Sequence, residues 1–117
     1  MTGRSDCIFC RIAAGAIPAT IVREDEHTIA FRDLDPKAPL HVLVIPRGHI
    51  ASINDIVDDD GPVLGALLLA ARDVARSEGV AEAGYRLVVN TGAAAHQTVP
   101  HVHVHVLGGR DMSWPPG

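Results

Sequence analysis

The stretch that most constrains this chain is Pro100 to Gly109, which reads Pro-His-Val-His-Val-His-Val-Leu-Gly-Gly, three histidines alternating with three valines. Strict alternation of β-branched and polar residues predicts a half-buried strand, because successive side chains point to opposite faces. Val102, Val104 and Val106 are therefore expected to face a core, while His101, His103 and His105 share the other face at a spacing of roughly 6.6 Å. Imidazoles this close disfavour one another's protonation, and with an unperturbed pKa of about 6.5 most of them are neutral at pH 7. A neutral imidazole is a nucleophile, a base or a metal ligand.

A chain of 117 residues is long enough for one domain with a real core and too short for two ordinary ones, so a single domain over 1–117 is expected. The net charge of −4 leaves no basic footprint, and no nucleic-acid partner is expected. The polar start, Met1 to Asp6, lacks the apolar run of a signal peptide. The longest apolar run, Ala66 to Ala71, is too short to span a bilayer, which predicts a cytoplasmic protein with no membrane partner. In a reducing compartment the two cysteines, Cys7 and Cys10, read as a metal site or a redox motif before a structural disulfide.

In chain order, Cys7 to Ala14 has the apolar spacing of a short helix closed by Gly15. Thr20 to Arg23 and Thr28 to Asp33 read as strands around a solvated turn that places His27 at the surface. The two prolines of Leu34 to Pro39 exclude a regular element there. His41 to Pro46 is nearly all apolar and so a central strand. Asp58-Asp59-Asp60-Gly61-Pro62 announces the one long helix, whose apolar stripe comprises Val63, Leu64, Leu67, Leu68, Ala71, Val74 and Ala75 and which ends at Gly79. Tyr85 to Asn90 is a fourth strand, Thr91 to Val99 a loop, the histidine stretch a fifth strand, and 110–117 a proline-rich tail. The expected class is α+β, a five-stranded antiparallel sheet with one long and one short helix on one face.

The loop before the histidines offers Asn90, Gly92, Gln97 and Thr98, neutral donors able to wrap an anion. From Leu87 to Leu107 there is no Lys or Arg, and no phosphate loop of the Walker type exists. Cys7 and Cys10 have zinc-ligand spacing but supply half a tetrahedral site, which His49 and one strand histidine can complete. A thioredoxin-like redox motif needs a strand-to-helix junction within a βαβ unit, which the pattern lacks. Structural zinc is the favoured reading over two free thiols.

His101-Val-His103-Val-His105-Val-Leu followed by Gly-Gly-Arg resembles the signature of the histidine triad family of nucleotide hydrolases and transferases. The similarity extends to Asp6-Cys-Ile-Phe-Cys10, Ile17-Pro18, Phe31-Arg-Asp-Leu34, Pro39-Leu-His41, Val44-Ile-Pro46, His49, Tyr85 to Asn90, Gln97 and the tail ending Trp114-Pro-Pro-Gly. That tail is most similar to the Hint branch, the purine nucleoside phosphoramidases. The resemblance implies His103 as a nucleophile that attacks the α-phosphorus, forming a nucleotidyl-histidine that water hydrolyses. It implies that His105 and His41 hold phosphate oxygens and the leaving group, and that Asn90, Gln97 and Thr98 contact phosphate. It further implies Asp33 and the backbone of Leu34 on the ribose, and Phe9, Ile12 and Phe31 around the purine. Structural zinc on Cys7, Cys10, His49 and His101, no catalytic metal, and a homodimer follow from the same likeness. The chain departs from the branch at His96, commonly glycine there, and at Thr98, usually serine. Three rival expectations stand beside this one: a dinucleoside polyphosphate hydrolase of the same family, a zinc hydrolase whose His-x-His chelates a catalytic metal, and a protein that binds AMP without catalysis.

Overall fold

The structure, a computed structural model, describes residues 4–117; the start of the polar N-terminal segment, Met1 to Gly3, lies outside the described residues. Helix α1 spans Ile8–Ala13. Strands β1 (Ile21–Glu24), β2 (Thr28–Arg32) and β3 (Leu40–Pro46) follow, then the long helix α2 (Gly61–Ser77), strand β4 (Tyr85–Val88) and strand β5 (Val104–Gly108). The five strands form one sheet in the order β1-β2-β3-β5-β4, and every neighbouring pair is antiparallel. The expected α+β class, five-stranded sheet, long helix and short helix are all present.

The helices do not share one face. Val42 and Val44 of β3 and Val104 and Val106 of β5 pack against Leu67, Ala70, Ala71 and Val74 of α2. The alternate residues Leu43 and Ile45 pack instead, with Ile29 and Phe31, against Phe9 and Ile12 of α1. The reason is visible in β3, all of whose residues are buried: a strand apolar on both faces needs a cover on each. Complete burial of Val42, Val44 and Val106 stabilises the sheet by about 1.5–3 kcal/mol per side chain. On α2 the buried stripe runs through Leu67, Ala70, Ala71, Val74 and Ala75. Leu68, expected within the stripe, lies on its rim and is exposed.

Valines 102, 104 and 106 all join the α2-side core, as alternation requires, but the regular strand begins only at Val104. The pairing of β3 with β5 runs from Val44 opposite Val104 to Leu40 opposite Gly108. Continuing it would set Val102 against Pro46, which has no N–H to donate to a ladder. The Val102 amide donates instead to the Ile50 carbonyl at 2.7 Å. His101 and His103 thus stand in the irregular segment just before β5, while His105 lies within it.

Candidate functional site

The short helix α1 brings the first cluster together. Cys7 is its N-cap, with Sγ accepting from the Cys10 amide at 3.4 Å, and the N-terminal end faces the segment that precedes β5. Cys7 Sγ lies 3.3 Å and Cys10 Sγ 3.4 Å from His101 Nδ1, and Cys10 Sγ lies 3.3 Å from His49 Nδ1. All four ligand atoms fall within 4.8 Å of one another. With metal–sulfur and metal–nitrogen bonds of about 2.3 and 2.0 Å, a tetrahedral zinc site has sulfur–nitrogen edges of roughly 3.5 Å, so the four atoms already sit close to ligand separation. The tautomer fits as well. His101 is completely buried and its Nε2 donates to the Pro46 carbonyl at 2.9 Å, which leaves the Nδ1 lone pair for a metal. Burial, followed by the neighbouring Cys7, raises the Cys10 thiol above its ordinary pKa, and burial lowers that of His101. The donor set is therefore two thiols and two imidazoles, which suit Zn²⁺ and which the ion would deprotonate at sulfur.

The second cluster lies on the same side of the sheet. His103 Nδ1 donates to the His101 carbonyl at 2.7 Å, so its Nε2 carries the lone pair. His105 is its neighbour, with ring centroids 5.0 Å apart. His41 Nε2 and His105 Nδ1 are 2.9 Å apart, and the Lys37 amide donates to His41 Nδ1 at 3.0 Å. That amide fixes the rest: the neutral His41 ring holds its proton on Nε2, donates it to His105 Nδ1, and leaves His105 as an Nε2–H donor. Burial first, then His103 and His41, push the His105 pKa down to about 4. Burial also lowers that of His41, against the opposing pull of Asp33, whose Oδ2 is 3.5 Å from His41 Nε2.

Asp33, His41 and His105 also place three ligand-type atoms within 4.8 Å. A metal on His41 Nε2 would move the ring proton to Nδ1, where the Lys37 N–H already points. Two donors would then face each other, a cost of about 1–3 kcal/mol for the unsatisfied pair. The cluster is set up as a row of fixed donors rather than to hold an ion.

A cavity of about 230 Å³ opens in front of these histidines, and Phe9, Ile12, Phe31, Asp33, Leu34, Thr98, His103 and His105 line it with six further residues. Phe9 stands edge-on to both Phe31 and His103, with centroids 5.5 and 5.1 Å away. A larger cleft of about 590 Å³ lies beside α1 between Arg4, Arg11 and Arg47. Its walls hold no triad histidine, so the smaller cavity is the one joined to the chemistry.

Three expected site residues sit elsewhere. Asn90 Nδ2 donates to the Ala95 carbonyl at 2.7 Å. Gln97 donates to the Ala51 and Val99 carbonyls and accepts from the Gly92 amide. Both brace the 91–98 loop and neither lines the cavity. His41 stands behind His105, 6% exposed, and reaches the cavity only through that ring. His96 caps a short 3-10 turn in the left-handed region with φ of 65°, a conformation that glycine adopts at no steric cost. Sequence reasoning missed the Lys37 amide and the Pro46 and His101 carbonyls, since a backbone group has no letter of its own. It also missed Pro18, Ala19 and Leu43 in the cavity wall.

Residues 14–112 match the family described as the HIT domain. An uncharacterised HIT-like protein of Synechococcus elongatus is 50% identical over 112 residues, 96% of this chain and 97% of that one. Among solved structures, a HIT family hydrolase from Legionella pneumophila superposes with a TM-score of 0.94 at 54% identity, covering 96% of this chain and 100% of its own. A HIT family hydrolase from Clostridium thermocellum gives 0.92 at 47% identity, covering 94% and 96%. Among the described residues, no helix is long and apolar enough to cross a membrane.

Proposed function

Because the chain belongs to the HIT domain family, we propose that it is a nucleotide hydrolase that cleaves purine nucleoside 5′-phosphoramidates, or related adenylates, to the nucleoside monophosphate. The observation that carries this reading is the His103 Nδ1 bond to the His101 carbonyl, which leaves a bare Nε2 on a ring lining an apolar cavity. The hydrolases of Legionella and Clostridium support the reaction class.

In this reading the purine lies against Phe9, Ile12 and Phe31, and the ribose hydroxyls meet Asp33 and the Leu34 backbone. His103 Nε2 attacks the α-phosphorus and the phosphorus–nitrogen bond breaks. The amine leaves with a proton taken from solvent, held by a hydrogen bond to His105 Nε2–H, while His41 Nε2–H keeps donating to His105 Nδ1. Water then attacks the nucleotidyl-histidine, releasing the monophosphate and restoring the neutral imidazole, and its second proton returns to solvent the one taken up by the amine. Thr98 and His105 stabilise the phosphate oxygens as charge develops. Asn90 and Gln97 serve this step by holding the loop that carries Thr98. A structural zinc on Cys7, Cys10, His49 and His101 supplies folding energy and enters no step.

The protein acts as one HIT unit with an appended tail, in the cytoplasm, and as a homodimer. The edge strand β4 has one unpaired side near exposed Leu87 and Val89, a surface suited to a second copy. Trp114 is 81% exposed and, among the described residues, has Arg86 over its ring, 5.9 Å from the centroid, which supports a tail that reaches toward the partner's cavity. A monomer at micromolar concentration would remove that part of the proposal.

The test compares adenosine 5′-phosphoramidate, diadenosine polyphosphates and acyl-adenylates on one preparation, with trapping of the enzyme during turnover and mass spectrometry. Preferred cleavage of the phosphoramidate with an adduct on His103 is expected. His103→Ala should lose at least about a thousandfold in kcat while still binding AMP. Wild-type turnover in that variant, or an adduct on His101 or His105, overturns the assignment. Preference for diadenosine polyphosphates instead selects the rival substrate class.

A further inference from the structure

The Gly108-Gly109-Arg110 segment follows the histidines directly, and the chemistry above leaves it without a task. Its position gives it one. A Cβ on Gly109 would stand 2.9 Å from Pro39 Cβ, and the backbone there has φ of +87°. Glycine is thus required twice, for the conformation and for the close approach of the 36–39 connection to the end of β5. Arg110 then closes the contact, with Nε donating to the Lys37 carbonyl at 3.1 Å. Lys37 is held on its other side by Nζ, 2.6 Å from Asp35 Oδ2, and the Asp35 amide donates to Asp33 Oδ1 at 2.7 Å. The residue gripped in this way is the one whose amide donates to His41 Nδ1.

We propose that Gly109 and Arg110 are positioning residues: by clamping Lys37 they fix the proton on Nε2 of His41, hence on Nε2 of His105, so that the ring in the cavity is always a donor. The inference deepens the hydrolase reading and rests on it for the role of His105. Each link is a hydrogen bond whose polarity is set by the link before it. The amide can only donate, so His41 Nδ1 must accept. His41 Nε2 must then donate, and His105 Nδ1 must accept. Without the clamp the two rings can reverse together, and His105 would present a lone pair to a phosphate oxygen, repelling it. A displacement of about 1 Å at such a contact can cost up to about a hundredfold in rate.

The experiment uses the full chain labelled with ¹⁵N-histidine at pH 7, and reads ring-nitrogen shifts together with kcat and KM for adenosine 5′-phosphoramidate. In the wild type His41 and His105 should both show Nε2 protonated and Nδ1 bare. In Arg110→Ala, an exposed substitution, His41 should become a mixture of tautomers and kcat should fall about tenfold, with KM changed less than about threefold; Arg110→Lys, which retains a donor, should recover most of the loss. Gly109→Ala should act in the same direction more strongly if it folds. A wild-type His41 with its proton on Nδ1 overturns the proposal. So do unchanged tautomers in Arg110→Ala, and so does a tautomer shift without loss of kcat. If none of the nucleotides turns over, the hydrolase reading falls, while the His41 tautomer still decides whether the clamp exists.

Discussion

The two histidine clusters lie on one side of one sheet, drawn from the same few residue types, and differ in what touches the far nitrogen of each ring. At His101 that partner is a carbonyl, Pro46, which draws the proton outward and leaves a lone pair facing Cys7 and Cys10. At His41 it is an amide, Lys37, which does the reverse and leaves a proton facing His105. The ligand inventory alone does not separate a group that could hold a metal from a row of hydrogen-bond donors. The backbone group behind the ring does.

Breaking the proton cluster should have the largest effect. His105→Ala removes the donor at the cavity, and turnover should fall about a hundred- to a thousandfold while the melting temperature moves little. Equal losses in turnover and folding would erase the distinction between the clusters, and steady-state kinetics beside thermal melts decide it.

Breaking the metal cluster should do the opposite. Chelation, or Cys10→Ala, should remove one zinc per chain and lower the melting temperature by roughly 8 °C or more, which is the effect of losing about 2 kcal/mol or more of ligand stabilisation. Turnover of the fraction still folded should fall less. Wild-type protein purified without chelators that holds no stoichiometric metal by elemental analysis would end the structural-zinc reading.

Acid sharpens the comparison with a smaller effect. His105 titrates near 4 when folded, because of burial and then of His103 and His41, and near 6.5 when unfolded. The unfolded chain therefore binds the proton first. The stability contributed by keeping this ring neutral is complete above about pH 6.5 and is lost as pH falls toward 4. Melting temperatures across that range should decline less steeply in His105→Asn than in the wild type, and identical slopes would remove His105 from the account.

The smallest effect lies outside both clusters. His96→Gly relieves a left-handed residue and should raise stability by up to about 1 kcal/mol, leaving zinc content unchanged. A fall in melting temperature would mean that the His96 ring makes a contact worth more than the strain.

The alternation of Val102 to Val106 with the histidines and the doubly apolar run of β3 carry the architecture in their letters, because burial on a pleated surface is a pattern of side chains. Cys7, Cys10, His49 and one strand histidine are likewise legible as a possible metal group, while the choice of His101 comes from the family likeness. The exit of His101 and His103 from the regular strand was written only faintly, in the missing N–H of Pro46. The apolar spacing of Cys7 to Ala14 marks helix α1, but six residues say little about which side of a two-faced sheet they cover. Asn90 and Gln97 look like phosphate donors because amides suit anions, yet amides suit loop carbonyls equally well. The Lys37 amide was invisible, since any residue but proline would supply it.

The contact that aims His103 has one further consequence. It is made by the carbonyl of residue 101, a group that every amino acid provides, whereas the cysteine cluster needs the imidazole of that same residue. Selection on the two halves of position 101 is therefore separable. A chain in which a well-packed apolar plug replaced Cys7, Cys10, His49 and the ring of His101 would forgo the candidate metal group and keep the orientation of His103. The bond to His103 asks nothing of the side chain at position 101.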